Sequence, residues 1–259
     1  MDLGLRGRRA IVTGASRGLG LEISRHLSAE GAVVAMVARH LDELEAAAEG
    51  VGRAFTADTQ DDESVRSMVG SVASELGGVD ILVNAAARPA SQIPAVPIEE
   101  FEDATLLTEI DTKVLGYLRT IRSVVPHMKA TGWGRIVNIA GLNARTATSI
   151  AGSVRNVAVA ALTKNLADEL GPWGITATVV HPGFILTETA TRDLERRAQA
   201  SASDASDILR QMTDGTSLRR LPSVAEVAHV VTFLCSSRSG SITGDAIAVG
   251  GGQRGPIYY

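Results

Sequence analysis

The chain has 259 residues, of which 45% are hydrophobic and 21% charged, and it carries a net charge of −4. Length and balance suit a single domain with a substantial core and exclude a collagen-like or disordered chain. No apolar run reaches the ~18 residues of a membrane span, and the slight acidic excess gives no general attraction to nucleic acid or anionic lipid.

Short β-branched runs recur at Ala10–Val12, Val33–Val37, Arg53–Ala57, Ile81–Val83, Ile136–Ile139, Ala177–Val180 and Ala246–Val249. Most are too apolar to be half-solvated, so they are expected as buried parallel strands. Between them the apolar residues repeat at three or four, as at Leu19, Ile23 and Leu27 and again at Val65, Met68, Val69, Val72 and Leu76. Asp61 with Ser64 is placed to cap the Val65 helix, and Pro172 with Gly174 ends the long helix that precedes the Ala177 strand. Strand and helix alternate throughout, which predicts α/β architecture: one domain over residues 1–259, a Rossmann-like doubly wound parallel sheet of about seven strands with helices on both faces. Glu188–Leu221, rich in Ala, Ser, Arg and Asp, has weak periodicity and follows a strand's carboxyl end, where open α/β sheets bind ligands. It is a candidate substrate lid, the alternative being a solvated helical insertion.

Thr13-Gly14-Ala15-Ser16-Arg17-Gly18-Leu19-Gly20 follows the first strand and opens an amphipathic helix. Glycines there permit a sharp turn and close approach of backbone N–H groups to a pyrophosphate, with the helix N-terminus adding partial positive charge. The G-x-x-x-G-x-G spacing resembles the short-chain dehydrogenase/reductase family. That resemblance extends through Ala57-Asp58, Leu82-Val83-Asn84-Ala85-Ala86-Ala87, Gly134-Arg135-Ile136-Val137-Asn138-Ile139, Ala161–Ala167, His181-Pro182-Gly183-Phe184-Ile185-Leu186-Thr187 and Thr243-Gly244. It implies that Gly14, Ser16, Arg17, Gly18, Leu19, Gly20, Thr59, Ala85, Ala86, Pro182 and Gly183 border a dinucleotide. It also implies that Asp58 meets the adenine and that Ile185 and Thr187 hold the nicotinamide carboxamide. Asn84 either lines the ribose or ties neighbouring strands. The second strand ends Val37-Ala38-Arg39 without an acid for a ribose hydroxyl, and Arg39 with Arg17 can clamp a phosphate, so NADP(H) is expected, with NAD(H) as the alternative.

In that family hydride transfer uses Asn, Ser, Tyr and Lys, the phenol moving the proton and the lysine lowering its pKa. By the resemblance, Gly152 stands at the tyrosine position, Asn156 at the lysine, Lys113 at the asparagine and Gly141 at the serine. The chain has three tyrosines (Tyr117, Tyr258, Tyr259) and three lysines (Lys113, Lys129, Lys164), so the replacements are few. Lys113 and Tyr117, four apart on one helix face, offer a relocated pair. The tail Pro256–Tyr259 offers another phenol. The third option is an exchange across one site, in which Lys113 and Asn156 keep a cation near the nicotinamide ribose. His181 is an alternative acid or base that titrates near neutrality, or a buried histidine bonded to backbone. Lys113, His181 and Asn156 are therefore the candidate catalytic residues. Arg88, Asn143, Arg145, Thr146, Thr148 and Arg155 are further polar candidates, and their arginines suit a carboxylate or phosphate on the substrate. His127 and Cys235 suggest no chemistry, and no metal-ligand cluster appears.

The expected function is an NADP(H)-dependent oxidoreductase on a small carbonyl or alcohol, with a non-standard proton relay. The alternatives are a catalytically inactive cofactor-binding subunit or sensor, and a lyase or isomerase on the same scaffold. By resemblance, two or four copies assemble through helices around Asp111–Lys129 and Gly152–Leu170, or one copy pairs with an active relative. With a lone cysteine and no secretory apolar stretch after Arg6, Arg8 and Arg9, the expected location is the cytoplasm.

Overall fold

The structure, a computed structural model, describes residues 1–88, 96–200 and 204–255. Seven strands form one parallel sheet in the order β3-β2-β1-β4-β5-β6-β7. They are β1 (Arg9–Thr13), β2 (Val33–Ala38), β3 (Arg53–Thr56), β4 (Ile81–Asn84), β5 (Gly134–Ile139), β6 (Ile175–Pro182) and β7 (Ala246–Val249). All seven expected runs are strands, shifted by at most a few residues. Alternate residues enter different layers: Ala10 and Val12 pack on one face and Ile11 on the other. In β1, β2, β4, β5 and β6 both faces are buried, which is why these strands read as apolar, whereas the edge strands β3 and β7 are more exposed.

One face is covered by α3 (Asp62–Leu76), α5 (Gly116–Thr131) and α6 (Ile150–Leu170), through Val65, Val72, Ile121, Val124, Val159 and Leu170. The other is covered by α1 (Gly18–Ala29), α2 (Leu41–Ala48) and α9 (Val224–Leu234), through Ile23, Leu27, Leu44, Val227 and Val231. Each such side chain contributes about 1.5–3 kcal/mol by leaving water. Asp61 caps α3 as expected, its Oδ1 accepting from the backbone N–H groups of Glu63 and Ser64. The Ser64 side chain takes no part in the cap. Its hydroxyl accepts from the Asp58 N–H and ties the β3 exit loop to the helix.

Two features differ from expectation. The helix expected around Asp111–Lys129 begins earlier, at Asp103, and runs in three parts: α4 (Asp103–Glu109), a π-helical turn over Ile110–Leu115, and α5. The spacing of apolar residues does not mark such a turn, because one extra residue per turn rotates a face without changing composition. Glu188–Leu221 holds two helices, α7 (Glu188–Ala200) and α8 (Ala205–Asp214); against the expected weak periodicity both are amphipathic, with Leu194 and Ala198 buried on α7. The sheet reverses its winding between β1 and β4, and their carboxyl ends, Thr13 beside Asn84, mark the crevice where ligands of such sheets bind.

Candidate active site

The glycine turn between β1 and α1 forms one wall of a cleft of about 630 Å³. Gly14 has φ +67, and a Cβ there would sit 2.9 Å from the backbone of Ala86. A Cβ on Gly20 would come within 2.2 Å of the Gly14 carbonyl oxygen. Glycine at these two positions lets backbone pack directly on backbone, which closes the sharp turn and leaves its N–H groups beside the cleft, as a pyrophosphate site needs. Ser16, Arg17, Gly18, Leu19, Arg39, Asp58, Thr59, Ala85, Ala86, Gly183, Ile185 and Thr187 also line this cleft. His40 and Glu43 join them at the Arg39 end; sequence reading passed over both, since neither belongs to a motif. Asn84 lies elsewhere. It is fully buried, donates through Nδ2 to Asn138 Oδ1 at 3.0 Å and accepts from Thr120 Oγ1 at 2.7 Å, so it ties β4 to β5 and α5.

A second cavity of about 550 Å³ opens beside the first, and Leu19, Ala85, Ala87, Arg88, Gly183, Phe184 and Ile185 line both. Pro182 lines this second cavity. Here the π-turn presents Lys113, whose Nζ donates to Asn156 Oδ1 at 2.8 Å and to the Ala140 carbonyl at 2.9 Å. Lys113 and Asn156 are each 2% exposed, and both line the cavity. Burial pulls the Lys113 ammonium well below the usual lysine range; Arg155 adds to that effect and Glu109 opposes it. A Cβ on Gly141 would lie 3.0 Å from Asn156 Nδ2, and one on Gly152 would lie 2.6 Å from Ser149 Oγ, which caps α6, and 3.2 Å from Asn143 Nδ2. Both glycines leave room that asparagine amides and the helix cap occupy.

The other proton-relay options resolve differently. The Tyr117 hydroxyl donates to the Ile139 carbonyl at 2.9 Å, while Lys113 bonds the next carbonyl, so the two side chains form no phenol–lysine pair. Burial raises the Tyr117 phenol above its ordinary value. His181 is 1% exposed and bonds Gly141 O through Nδ1 at 2.9 Å. Burial pushes its imidazole down to about 4, against the expectation that it titrates near neutrality. The tail phenols Tyr258 and Tyr259 lie outside the described residues. Arg88, Asn143, Thr146, Thr148 and Arg155 line the cavity, whereas Arg145 donates to the Ala246 carbonyl at 2.9 Å. Among the described residues no group of three or more His, Cys, Asp or Glu is placed to hold a metal, and no helix is long and apolar enough to cross a membrane.

A model of the short chain dehydrogenase family matches residues 8–198. The chain belongs to that family. Among curated short chain dehydrogenase relatives, the short-chain reductase protein NovJ of Streptomyces niveus is 30% identical over 251 residues, covering 94% of this chain and 93% of its own. D-beta-hydroxybutyrate dehydrogenase of Rhizobium meliloti is 27% identical over 257 residues, 95% and 98% of the two chains. L-sorbose reductase from Gluconobacter frateurii, solved with NADPH and L-sorbose, matches with a TM-score of 0.91 and 31% identity over 99% of this chain and 100% of that one.

Within this short chain dehydrogenase, Glu109 is the functional candidate that sequence reading missed. It is fully buried at the end of α4, ion-paired through Oε2 with Arg155 Nη1, and its Oε1 faces Arg88 Nη1 at 3.2 Å. A lone acid on a helix gives no signal by itself; only the fold brings two arginines and Lys113 around it.

Proposed function

We propose that the protein is an NADP(H)-dependent reductase or dehydrogenase of a small carbonyl or alcohol in which Lys113 carries the proton. The observation that carries this is the buried Lys113 ammonium at the cavity, fixed by Asn156 and the Ala140 carbonyl. By family resemblance Gly152 and Asn156 stand at the tyrosine and lysine positions, with Lys113 and Gly141 at those of asparagine and serine. Arg17 and Arg39 in one cleft support a cofactor bearing a 2′-phosphate, as does the NADPH bound to the L-sorbose reductase.

A dinucleotide held along Gly14, Arg17, Arg39, Ile185 and Thr187 would supply hydride to a carbonyl carbon or take it from an alcohol. The chain's own part is to hold the substrate oxygen near Lys113 Nζ, whose third N–H is left after its two hydrogen bonds. An ammonium whose pKa is lowered by burial is a stronger acid, and it can hand its proton to oxygen as the carbonyl is reduced. Asn156 positions it through Oδ1. The groups around Nζ are Arg155, Glu109, Tyr117, His181 and Asn156; Tyr117 and His181 are committed to backbone carbonyls, leaving Lys113 as the mobile proton. Glu188–Leu221 is proposed as the lid, since Ala190 borders the first cleft and Gln211, Met212, Gly215, Thr216 and Leu221 the second. Exposed Ile150, Val154 and Val157 along α6 support assembly of copies through that helix.

The test is to titrate the purified protein with NADPH and NADH, then follow NADPH oxidation across a panel of small ketones and aldehydes. NADPH should bind more tightly, the preference disappearing in Arg39→Ala. Lys113→Met should keep NADPH binding and lose turnover by about 10²–10⁴-fold. Reduction should fall as pH rises through the Lys113 pKa, below the ordinary lysine value, and oxidation should rise there. Tight binding with no oxidation of any carbonyl would favour a cofactor-binding subunit or sensor; undiminished turnover in Lys113→Met would refute the relay.

A further inference from the structure

We infer that the second cavity is a carboxylate site, so that the substrate is a carboxylic acid with an apolar body, its anion held by Arg88 and Arg155. The inference takes the reacting carbonyl or alcohol from the proposed function but rests on the charge of the cavity itself. Arg88, Lys113 and Arg155 line it, and among the described residues no acid does. The single carboxylate behind them, Glu109, engages Arg155 through Oε2, while its Oε1 faces Arg88 at 3.2 Å without making a hydrogen bond. Arg155 is 3% exposed, and its Nε is buried without an acceptor.

A guanidinium cannot escape burial by losing its proton, so the surplus positive charge along this wall, set against the one carboxylate of Glu109, calls for an anion. A group held in the first cleft would not meet this charge, because Lys113 and Arg155 line the second cavity and not the first cleft. Arg88 lines both, half-exposed at their junction, and a planar guanidinium there offers a carboxylate paired N–H donors. The remaining wall includes Leu142 and Met212, which suits an apolar chain better than a second anionic group.

The experiment measures binding by calorimetry on protein loaded with NADP+, which cannot react with a ketone. The probes are 4-oxopentanoate and longer straight-chain oxo acids to ten carbons, each beside its methyl ester. At least one acid should bind about ten-fold or more tightly than its ester. Its advantage should shrink with added salt and disappear in Arg88→Gln, a substitution of a half-exposed side chain that should leave the fold intact. Equal affinities for every pair, no binding of any acid, or an acid advantage unchanged in Arg88→Gln would overturn the site. Acid selectivity without any NADPH oxidation would retain the carboxylate site and remove the oxidoreductase reading. Turnover of neutral ketones with no acid preference would do the reverse.

Discussion

Lys113 and His181 are both buried bases, and their partners separate their fates. Lys113 gives two hydrogen bonds to neutral acceptors and faces a cavity; His181 is held by the backbone of Gly141 and does not line it. For His181 the consequence is one of stability. Its pKa is about 4 in the fold against 6.5 when unfolded, so between those values the unfolded chain binds the extra proton and stability is lost as pH falls. At pH 4.5 the loss from this residue is on the order of 2 kcal/mol, and no loss occurs above the unfolded value. His181→Asn should therefore lose less stability than the parent between pH 7 and 4.5 in chemical denaturation; identical losses would show that His181 is not the group responsible. The residue types were legible in the sequence here, but the degree of burial that sets their protonation was not, since it comes from elements far apart in the chain.

At the scale of elements, α6 and the π-turn act as one unit. The π-turn aims Lys113 at the α6 face carrying Asn156, and Glu109, one turn earlier, meets Arg155 on the same face. The family resemblance implied a lysine and an asparagine exchanged across this junction, and Lys113 and Asn156 meet there at 2.8 Å. The π-turn itself was not readable, because it alters hydrogen-bond register rather than residue pattern. Electrostatics makes the junction testable. Asn156→Lys places a second ammonium against Lys113 and near Arg155 with Glu109 the only nearby carboxylate among the described residues, and should cost about 3 kcal/mol or more. Lys113→Asn in the same chain should recover most of that loss, since it restores a single cation. Denaturation of both single variants and the double would show the coupling; additive losses would refute it. Gly152→Tyr meets a separate obstacle, because its Cβ would crowd Ser149 Oγ and displace the cap of α6.

For the whole molecule, the winding reversal between β1 and β4 and the segment of α7 and α8 decide where chemistry can occur. α7 and α8 pack chiefly on each other, while the chain at their ends borders both cavities. Exposed Arg192, Arg196 and Arg210 make the segment a trypsin target. Cleavage should begin within 188–221, and NADP+ should slow it about five-fold or more if the segment closes on the cofactor; equal rates with and without NADP+ would sink the lid. The sequence alone determined the alternation of strand and helix, the glycine cradle and the family, because these depend on local spacing and on residues adjacent in the chain. Only the tertiary structure decided that Tyr117 and His181 are committed to backbone, that Asn84 is a strand tie, and that Glu109 gathers Arg88, Arg155 and Lys113 beside one cavity. Burial, pKa and charge balance depend on which distant elements pack together, and no stretch of chain carries that information by itself.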